Sequence, residues 1–273
     1  MCLCGEKNRA MDLNLKGKKA FVCGSTQGIG KAAAIELAGL GATVVMLARN
    51  EESLKQAVKE LNTDAGQKHE YIIADFSNPS SLKEKVNAYL QKNNQPVHIL
   101  VNNTGGPPGG KAIDAKPEEF QAALNSHLMC NHILVQALVE GMKKEKYGRI
   151  INIISTSVKQ PIQGLGVSNT TRWAVASWAK TLAGELGAFG ITVNNVLPGA
   201  THTQRLETLN ETQSKATGRS VQDIESAMLK EIPAGRFAEP IEVANAIAFL
   251  ASPAASYING INVPVDGGRT KSL

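Results

Sequence analysis

Short apolar runs alternate with helical patterns along the whole chain, and this alternation limits the possible folds more than any other feature. The runs are almost continuous in Val, Ile and Leu, which is typical of parallel strands buried on both faces of a sheet. Helical segments between such strands act as right-handed crossovers. No linker or repeat divides the sequence. The pattern therefore predicts a single α/β domain, a doubly wound parallel sheet of seven strands, with ligands bound beyond the carboxyl ends of the strands.

The apolar spacing assigns the individual elements. Strands are predicted at residues 20–23, 43–47, 71–73, 97–101, 149–154, 191–197 and 261–265. Helices are predicted at residues 31–40, 51–61, 80–92, 117–143, 168–187, 221–231 and 240–251.

Composition and charge exclude several classes of protein. The chain has 42% apolar and 19% charged residues, which suits a globular core and argues against global disorder. No apolar run reaches the roughly 18 residues of a membrane span, and the N-terminus lacks the apolar segment of a secretory signal. The net charge is +5, and the basic residues are scattered along the chain. Their one dense run, at 143–149, suits the C-terminus of a helix, where the helix dipole favours cations. We therefore expect a cytoplasmic protein that has neither a membrane nor a nucleic acid as its partner.

The four cysteines predict no metal site. Cys2 and Cys4 have no histidine or second cysteine pair near them, as a zinc site would need. Cys23 lies in an apolar strand and Cys130 in a helical segment, so both are interpreted as buried, reduced thiols.

The first residues of the chain are interpreted as an addition to the domain. Met11 opens a segment that reads like a natural chain start, so residues 1–10 are expected to be loose. The predicted division is an N-terminal extension at 1–14 and one domain at 15–273.

A glycine-rich loop follows the first predicted strand and opens the first predicted helix. It reads Cys23-Gly24-Ser25-Thr26-Gln27-Gly28-Ile29-Gly30. Its three glycines allow a sharp turn and a close approach of the backbone to a pyrophosphate, whose charge the free N–H groups of the helix favour. An ordinary glycine-rich turn is the alternative. The position between strand and helix favours a dinucleotide site of the Rossmann fold.

The end of the second strand indicates which dinucleotide binds. It reads Leu47-Ala48-Arg49-Asn50. An acidic residue there would bind the ribose diol of NAD, whereas an arginine tolerates the 2′-phosphate of NADP. We therefore predict NADP(H) as the cofactor, with Arg49 and Asn50 in its site. The alternative is that Arg49 is merely a surface residue.

Further motifs follow the glycine loop in a fixed order. They are Asp75, the run 102–105, Asn125, the run 153–155, the run 194–199, the run 235–240 and the run 266–268. With this set of motifs, the chain over residues 15–268 resembles the short-chain dehydrogenase/reductase family, and within it the 3-oxoacyl-acyl-carrier-protein reductases.

The resemblance implies roles for the matching positions and an activity for the chain. The activity is hydride transfer between NADP(H) and a carbonyl or alcohol substrate, including acyl substrates, with Asn125 and Ser155 in catalysis. Residues at about 201–232 would form a mobile substrate lid. The residues implied to bind the cofactor are Gly24, Ser25, Gln27, Gly28, Ile29, Gly30, Asp75, Phe76, Asn102, Thr104, Gly105, Pro198, Gly199 and Thr201.

The family also implies a homo-oligomer, most commonly a tetramer. Trp173 and Trp178 lie on the helix that commonly forms the dimer face in this family, and large aromatic residues suit an interface.

The sequence departs from the family at the two residues that move the proton. The family places a tyrosine thirteen residues after the serine matched by Ser155 and a lysine four residues further on. Here those positions hold Ser168 and Arg172. A serine hydroxyl is shorter and far less acidic than a phenol, and an arginine stays charged. Arg172 is expected to keep the contact with the cofactor, whereas the acid role does not pass to Ser168 without help.

Other groups near the expected cleft are alternatives for the proton donor. They are Lys159, His127, His202, and a water held by Ser155, Ser168 and Arg172. Two hypotheses on function follow from this departure. The first is an NADP(H)-dependent oxidoreductase with an atypical proton donor. The second is a non-catalytic NADP(H)-binding sensor or scaffold.

Overall fold

Seven parallel strands form one sheet in the computed structural model, which describes residues 11–93 and 95–272. Their order is β3-β2-β1-β4-β5-β6-β7, so the chain crosses from one half of the sheet to the other between β3 and β4. The predicted doubly wound architecture is confirmed. The strands are β1 (Lys19–Cys23), β2 (Thr43–Ala48), β3 (Glu70–Ile73), β4 (Ile99–Asn102), β5 (Gly148–Ile153), β6 (Ile191–Pro198) and β7 (Asn262–Val265).

Helices cover both faces of the sheet. One apolar cluster joins the sheet to α1, α2 and α9, and a second joins it to α3, α5 and α6. Successive residues of β1 alternate between the clusters, since Val22 belongs to the first and Phe21 to the second. The helices are α1 (Gly28–Gly39), α2 (Glu51–Lys59), α3 (Pro79–Lys92), α4 (Pro117–Leu124), α5 (Cys130–Glu145), α6 (Gly166–Leu186), α7 (Gln204–Thr217), α8 (Val221–Lys230) and α9 (Pro240–Ala251).

Two helical features differ from the prediction. The single helix predicted over 117–143 is interrupted by a π-helical turn at Asn125–Met129, which separates α4 from α5. The sequence did not predict helix α7, because no apolar stripe marks this segment. Asn210 is the only one of its residues that is buried. Its N-terminus is capped by Thr203, whose side chain accepts a hydrogen bond from the Leu206 N–H.

An asparagine ladder crosses the second half of the sheet. The strand register aligns Asn102, Asn152, Asn195 and Asn262 on β4, β5, β6 and β7. Each carboxamide nitrogen donates to the carboxamide oxygen of the next asparagine, at 2.9, 3.0 and 2.8 Å. Because Asn152 is fully buried and both donates and accepts, the ladder satisfies polar groups that water cannot reach.

The start of the described chain is attached to the domain. The Asp12 carbonyl accepts a hydrogen bond from the Ala254 N–H at 3.0 Å, and Leu15 is fully buried. Residues 1–10, with Cys2 and Cys4, lie outside the described residues, and the division of the chain at residue 15 stays a prediction. Cys23 and Cys130 are buried free thiols, as expected.

Two further observations concern metals and membranes. Within residues 11–93 and 95–272, no group of His, Cys, Asp and Glu side chains is arranged to hold a metal ion. Over the same ranges, no helix has the length and apolar character that crossing a membrane requires.

We predict that Asn152→Ala lowers the free energy of unfolding by about 2–6 kcal/mol, because each buried group left unpaired costs roughly 1–3 kcal/mol. The groups left unpaired are the Asn102 carboxamide nitrogen and the Asn195 carboxamide oxygen. The measurement is urea unfolding at fixed protein concentration. Asn87→Ala, on the exposed face of α3, is the control and should stay within about 0.5 kcal/mol of the wild type. A loss below that of the control would show that the ladder adds nothing to stability.

Candidate active site

A cavity of about 780 Å³ opens at the carboxyl edge of the sheet, where the strand order reverses between β1 and β4. Its wall comes from the loops after β1, β2, β3, β4, β5 and β6, from the start of α6, and from α7 and α8. Open parallel sheets bind their ligands at this position.

The glycine loop at one end of the cavity has the geometry of a phosphate cradle. Gly24 and Gly28 have φ values of +56° and +54°, which side chains other than glycine rarely tolerate. Gln27, which precedes α1, provides no side-chain cap, so the first N–H groups of that helix are available to an anion. The Asn103 carboxamide donates to the carbonyls of Cys23 and Gly24 at 3.2 and 3.1 Å and thereby joins the loop to β4.

Gly30 serves the same loop by packing instead of by lining the cavity. A Cβ atom at this position would lie 2.2 Å from the Gly24 carbonyl oxygen and 2.7 Å from the Asn103 carboxamide nitrogen. Only glycine therefore lets α1 approach the turn this closely.

The residues after β2 form the outer end of the cavity. Arg49 is exposed on the wall, and within the described part of the chain it takes part in no ion pair. Asn50 is also on the wall, but its side-chain oxygen caps α2 by accepting from the Ser53 N–H at 2.8 Å. Asp75, after β3, accepts from the Ser77 N–H at 2.9 Å, and this bond, with Arg49 contributing, lowers the pKa of its carboxyl.

The inner end of the cavity brings together Ser155, Ser168 and Arg172. Ser155 directly follows β5, and its Oγ accepts from the Ser157 N–H at 3.1 Å, which leaves its own proton free to donate. Ser168 lies in the first turn of α6, and Arg172 lies one turn later on the same face. The Arg172 side chain donates from Nη1 to the Ile153 carbonyl at 2.7 Å and so connects α6 to β5.

Arg172 is buried with part of its hydrogen-bonding capacity unused. The residue is 9% exposed, and its Nε has no partner within the described part of the chain. Burial, with Arg205 nearby, lowers the pKa of Arg172 to about 10, so the group remains charged at neutral pH.

Four of the predicted site residues lie off the cavity wall. Ser25 and Asn102 are buried, the latter in the asparagine ladder. Gly30 packs against Gly24, as described above. Asn125 opens the π-helical turn, where its carbonyl accepts from the Cys130 N–H and its side chain accepts from Gln121. The predicted residues on the wall are Gly24, Gln27, Gly28, Ile29, Arg49, Asn50, Asp75, Phe76, Thr104, Gly105, Ser155, Ser168, Arg172, Pro198, Gly199 and Thr201.

The three side chains named from the sequence as alternative proton donors do not line the cavity. His127 is buried, and burial together with the charges of Arg172 and Arg205 holds the pKa of its imidazole well below the ordinary value. His202 is exposed and packs its ring against Phe237. Lys159 also lies off the wall. The described residues that line the cavity include no tyrosine, lysine or histidine, so its inner end presents hydroxyl and guanidinium groups.

Two residues shape the site in ways that the sequence did not predict. Asn103 lies in a motif that the sequence analysis used, but its bond to the glycine loop depends on β1 and β4 being neighbours. Arg205, in the first turn of α7, reaches the inner wall from a segment that the sequence marked only as polar. The α7–α8 segment, predicted as a lid, supplies Leu209 and Met228 to the same wall.

Comparison with known proteins identifies the family. A family model described as Enoyl-(Acyl carrier protein) reductase matches residues 24–270. The chain also resembles the 3-oxoacyl-[acyl-carrier-protein] reductase FabG of Vibrio cholerae, at 35% identity over 256 residues that cover 94% of this chain and 98% of the relative. The chain belongs to the short-chain dehydrogenase/reductase family.

Two further similar proteins extend the comparison. The uncharacterized oxidoreductase YvaG of Bacillus subtilis is 34% identical over 268 residues, which cover 96% of this chain and 100% of the relative. The structure of L-sorbose reductase from Gluconobacter frateurii, solved with NADPH and L-sorbose, superposes with a TM-score of 0.88 at 31% sequence identity. The alignment covers 96% of this chain and 100% of the reductase chain. The resemblance inferred from the motifs is therefore confirmed over nearly the whole chain.

We predict that Gly30→Ala weakens dinucleotide binding by about tenfold or more, because displacing the Gly24 carbonyl distorts the cradle, and tenfold corresponds to only about 1.4 kcal/mol. Overpacking of this kind also lowers the free energy of unfolding by about 1–3 kcal/mol. Calorimetry and urea unfolding measure the two effects. Gly39→Ala, at the end of the same helix with open space around it, is the control and should change neither. Wild-type affinity in Gly30→Ala would contradict the assignment of the cradle.

Proposed function

We propose that this protein is an oxidoreductase that transfers a hydride between NADP(H) and the carbonyl or hydroxyl group of a small substrate. The observation that carries the proposal is one continuous cavity with a glycine cradle at one end and Ser155, Ser168 and Arg172 at the other. The comparisons support it, because the relatives include named reductases and a reductase solved with NADPH.

The residues present fit a dinucleotide along the cavity. The glycine cradle and the uncapped start of α1 would hold the pyrophosphate. Phe76 and Asp75 would border the adenine, and Pro198, Gly199 and Thr201 the nicotinamide. When bound, the cofactor supplies the hydride, and the protein orients the reactants and stabilises charge.

The outer end of the cavity favours NADP(H) over NAD(H). Arg49 follows β2 where an acidic residue would bind the ribose diol, and no ion pair within the described part of the chain neutralises it. The nearest carboxylate on the wall, Asp75, already accepts a hydrogen bond from the Ser77 backbone. A guanidinium in this place suits a 2′-phosphate.

The inner end stabilises the oxygen of the substrate without a strong acid. Ser155 would donate its free proton in a hydrogen bond to the carbonyl oxygen, and Arg172 would add positive charge nearby. Ser168 has neither the length nor the acidity of a phenol. We propose that Ser155, Ser168 and Arg172 hold a water that relays a proton from solvent to the substrate oxygen, and that Asn125 positions this end of the site through the π-helical turn.

The same lack of a strong acid supports a second candidate function. Without tyrosine or lysine among the described wall residues, the protein would bind NADP(H) without turnover, as a sensor or scaffold. The general-acid contribution to catalysis is typically about 10²–10⁴-fold. A loss of this size slows hydride transfer without abolishing it, so we favour the enzyme. A 3-oxoacyl thioester is one candidate substrate, suggested by the FabG relatives.

We further propose a homo-oligomer, most simply a tetramer, associated through α5 and α6. Trp173 is 51% exposed on α6, and Met129 is 42% exposed beside the start of α5. Trp178 is half-buried and packs into the core, so it adds less to this face than expected from the sequence.

We predict that NADPH binds more tightly than NADH and that Arg49→Ala removes most of this preference. The loss of one charge-assisted contact corresponds to about 10–100-fold in NADPH affinity and little in NADH affinity. Calorimetry measures both. Lys59→Ala removes a cation from the exposed end of α2, off the cavity wall, and should leave the ratio unchanged. Equal affinities in the wild type would refute the preference.

We predict slow turnover of ketones, diketones or acyl thioesters by the wild type, followed as NADPH oxidation. Ser155→Ala should lower kcat by about 10²–10³-fold, the usual cost of one oxyanion donor, with NADPH affinity unchanged. Ser177→Ala, exposed on α6, is the control. Ser168→Tyr combined with Arg172→Lys should raise the rate if the missing acid limits it.

The two candidate functions give different results in this assay. Tight NADPH binding without turnover of any compound would favour the sensor or scaffold. Brisk turnover that Ser155→Ala leaves unchanged would show that the catalytic residues lie elsewhere.

We predict that Trp173→Glu weakens self-association, because a charge replaces an exposed aromatic side chain on the proposed contact face. Light scattering at micromolar concentration measures the mass of both proteins. A wild type that remains a monomer of 29.0 kDa would contradict the proposed oligomer.

A further inference from the structure

Two guanidinium groups face the inner end of the cavity, that of Arg172 on α6 and that of Arg205 on α7. We call them the arginine pair. Arg172 is buried and Arg205 is half-buried, and burial lowers the pKa of both. Both residues line the same cavity, and the charge of Arg205 lowers the pKa of Arg172 further.

The partners of the arginine pair are uncharged. Arg172 donates to the Ile153 carbonyl, and Arg205 donates to the Pro107 carbonyl. Within the described part of the chain, neither group takes part in an ion pair. The unpartnered Nε of Arg172 leaves a buried donor without an acceptor. Buried charges are ordinarily paired, so this arrangement calls for an anion.

The other charged residues on the wall do not supply the negative charge that would pair with the two arginines. Arg269 is paired with Glu231 at 2.7 Å. Asp75 is the one carboxylate among the described wall residues, and it lies after β3 at the opposite end. His127 supplies no negative charge either, because an imidazole is neutral or positively charged, and burial together with the charges of both arginines lowers its pKa.

The loop after β4 is shaped to receive the Arg205 side chain. A Cβ atom on Gly106 would lie 3.1–3.3 Å from three atoms of its guanidinium, so the absence of a side chain lets the planar group lie close to the loop. The bond to Pro107 holds it there. The guanidinium is thus positioned before any ligand binds, which reduces the entropy lost on binding.

The anion is not accounted for by the cofactor. The glycine cradle would take its pyrophosphate, and Arg49 its 2′-phosphate. We propose that the substrate carries a carboxylate or phosphate group that binds to Arg205, with Arg172 adding positive charge on the same wall, and with its carbonyl carbon facing the cofactor and its carbonyl oxygen facing Ser155. This proposal rests on the proposed function and names the substrate class of the same site.

The remaining wall residues describe the rest of such a substrate. Leu165 and Leu209 both lie within 3.8 Å of the Cβ position of Gly109, so α7 closes over the loop that precedes α6. Ile162, Leu206 and Met228 add further apolar surface. A small, partly apolar oxo acid or oxo phosphate fits this combination of charge and apolar wall.

The test compares matched charged and neutral ketones. Acetoacetate is paired with methyl acetoacetate, and hydroxyacetone phosphate with hydroxyacetone, so that the arms distinguish carboxylate from phosphate. The variants are Arg205→Gln and its control Arg219→Gln, which removes a cation from the same α7–α8 segment off the wall. Binding of malonate to the NADP⁺-saturated protein, followed by calorimetry, provides a readout that does not need turnover.

We expect the wild type to prefer one charged compound over its neutral partner. Arg205→Gln should raise the KM for the charged compound by about 10–100-fold more than the KM for its neutral partner, as expected for one charge-assisted pair. Malonate binding should weaken to the same extent. The melting temperature of unliganded Arg205→Gln should stay at the wild-type value, because Arg205 is only half-buried at the cavity wall, and this excludes a folding defect.

The outcomes separate the two proposals. Malonate binding that depends on Arg205, without turnover of any ketone, supports the anion site and contradicts the enzymatic function. Turnover of neutral ketones with no preference for a charged partner supports the enzymatic function and overturns the anion site. A preference for the charged ketone that is unchanged in Arg205→Gln also overturns the anion site.

Discussion

The bond between the Asn103 carboxamide and the glycine loop joins the two halves of the molecule. The chain leaves neighbouring strands β1 and β4 toward opposite faces of the sheet, because α1 follows β1 on one face and α5 follows β4 on the other. The cavity exists in the gap between these connections. Asn103 fixes the width of that gap by holding the Gly24 carbonyl, while Gly30 admits α1 to the same point. The cradle, the start of α1 and the end of β4 therefore keep one relative geometry.

From this fixed point the two ends of the cavity differ in their chemistry. The outer end combines backbone N–H groups with Arg49 and suits phosphates. The inner end combines hydroxyl groups with the arginine pair, in a partly apolar setting. An arginine at position 172, where the family has a lysine, changes the hydrogen bonding of the site as well as its ability to relay protons. Its longer, forked side chain reaches the Ile153 carbonyl and still leaves one donor without a partner among the described residues, on the same cavity wall as a second guanidinium from α7.

The two substitutions in α6 are coherent when considered together with Arg205. A phenol and an amine would provide a proton, whereas a short hydroxyl and two guanidiniums provide room and positive charge. Charge near the carbonyl stabilises the developing oxyanion, and the same charge selects a negatively charged substrate. Under the proposed function, the site would exchange part of the acid catalysis for electrostatic binding, with a water held by the hydroxyl groups as the proposed proton source.

Local patterns in the sequence determined the α/β architecture, the seven strands and the glycine cradle, because burial on both faces and positive φ values leave a direct mark on residue types. They also placed Ser168 and Arg172 on one helical face, since residues four apart share a face. The π-helical turn left no such mark, because the helical spacing of apolar residues continues through it. Helix α7 left none because it is polar.

Only the tertiary structure decided which residues meet. The asparagine ladder requires the register of four strands that are far apart in the chain, and the Asn103 bond requires β1 beside β4. Asn102 and Ser25 were assigned to the cofactor by motif, yet their burial places them behind the wall. The arginine pair depends on α6 and α7 lining the same cavity, which places residues 33 positions apart in the chain on one wall. The sequence by itself thus determined the elements and the cradle, whereas long-range packing decided the charge of the substrate end, because electrostatic interactions act across space and not along the chain.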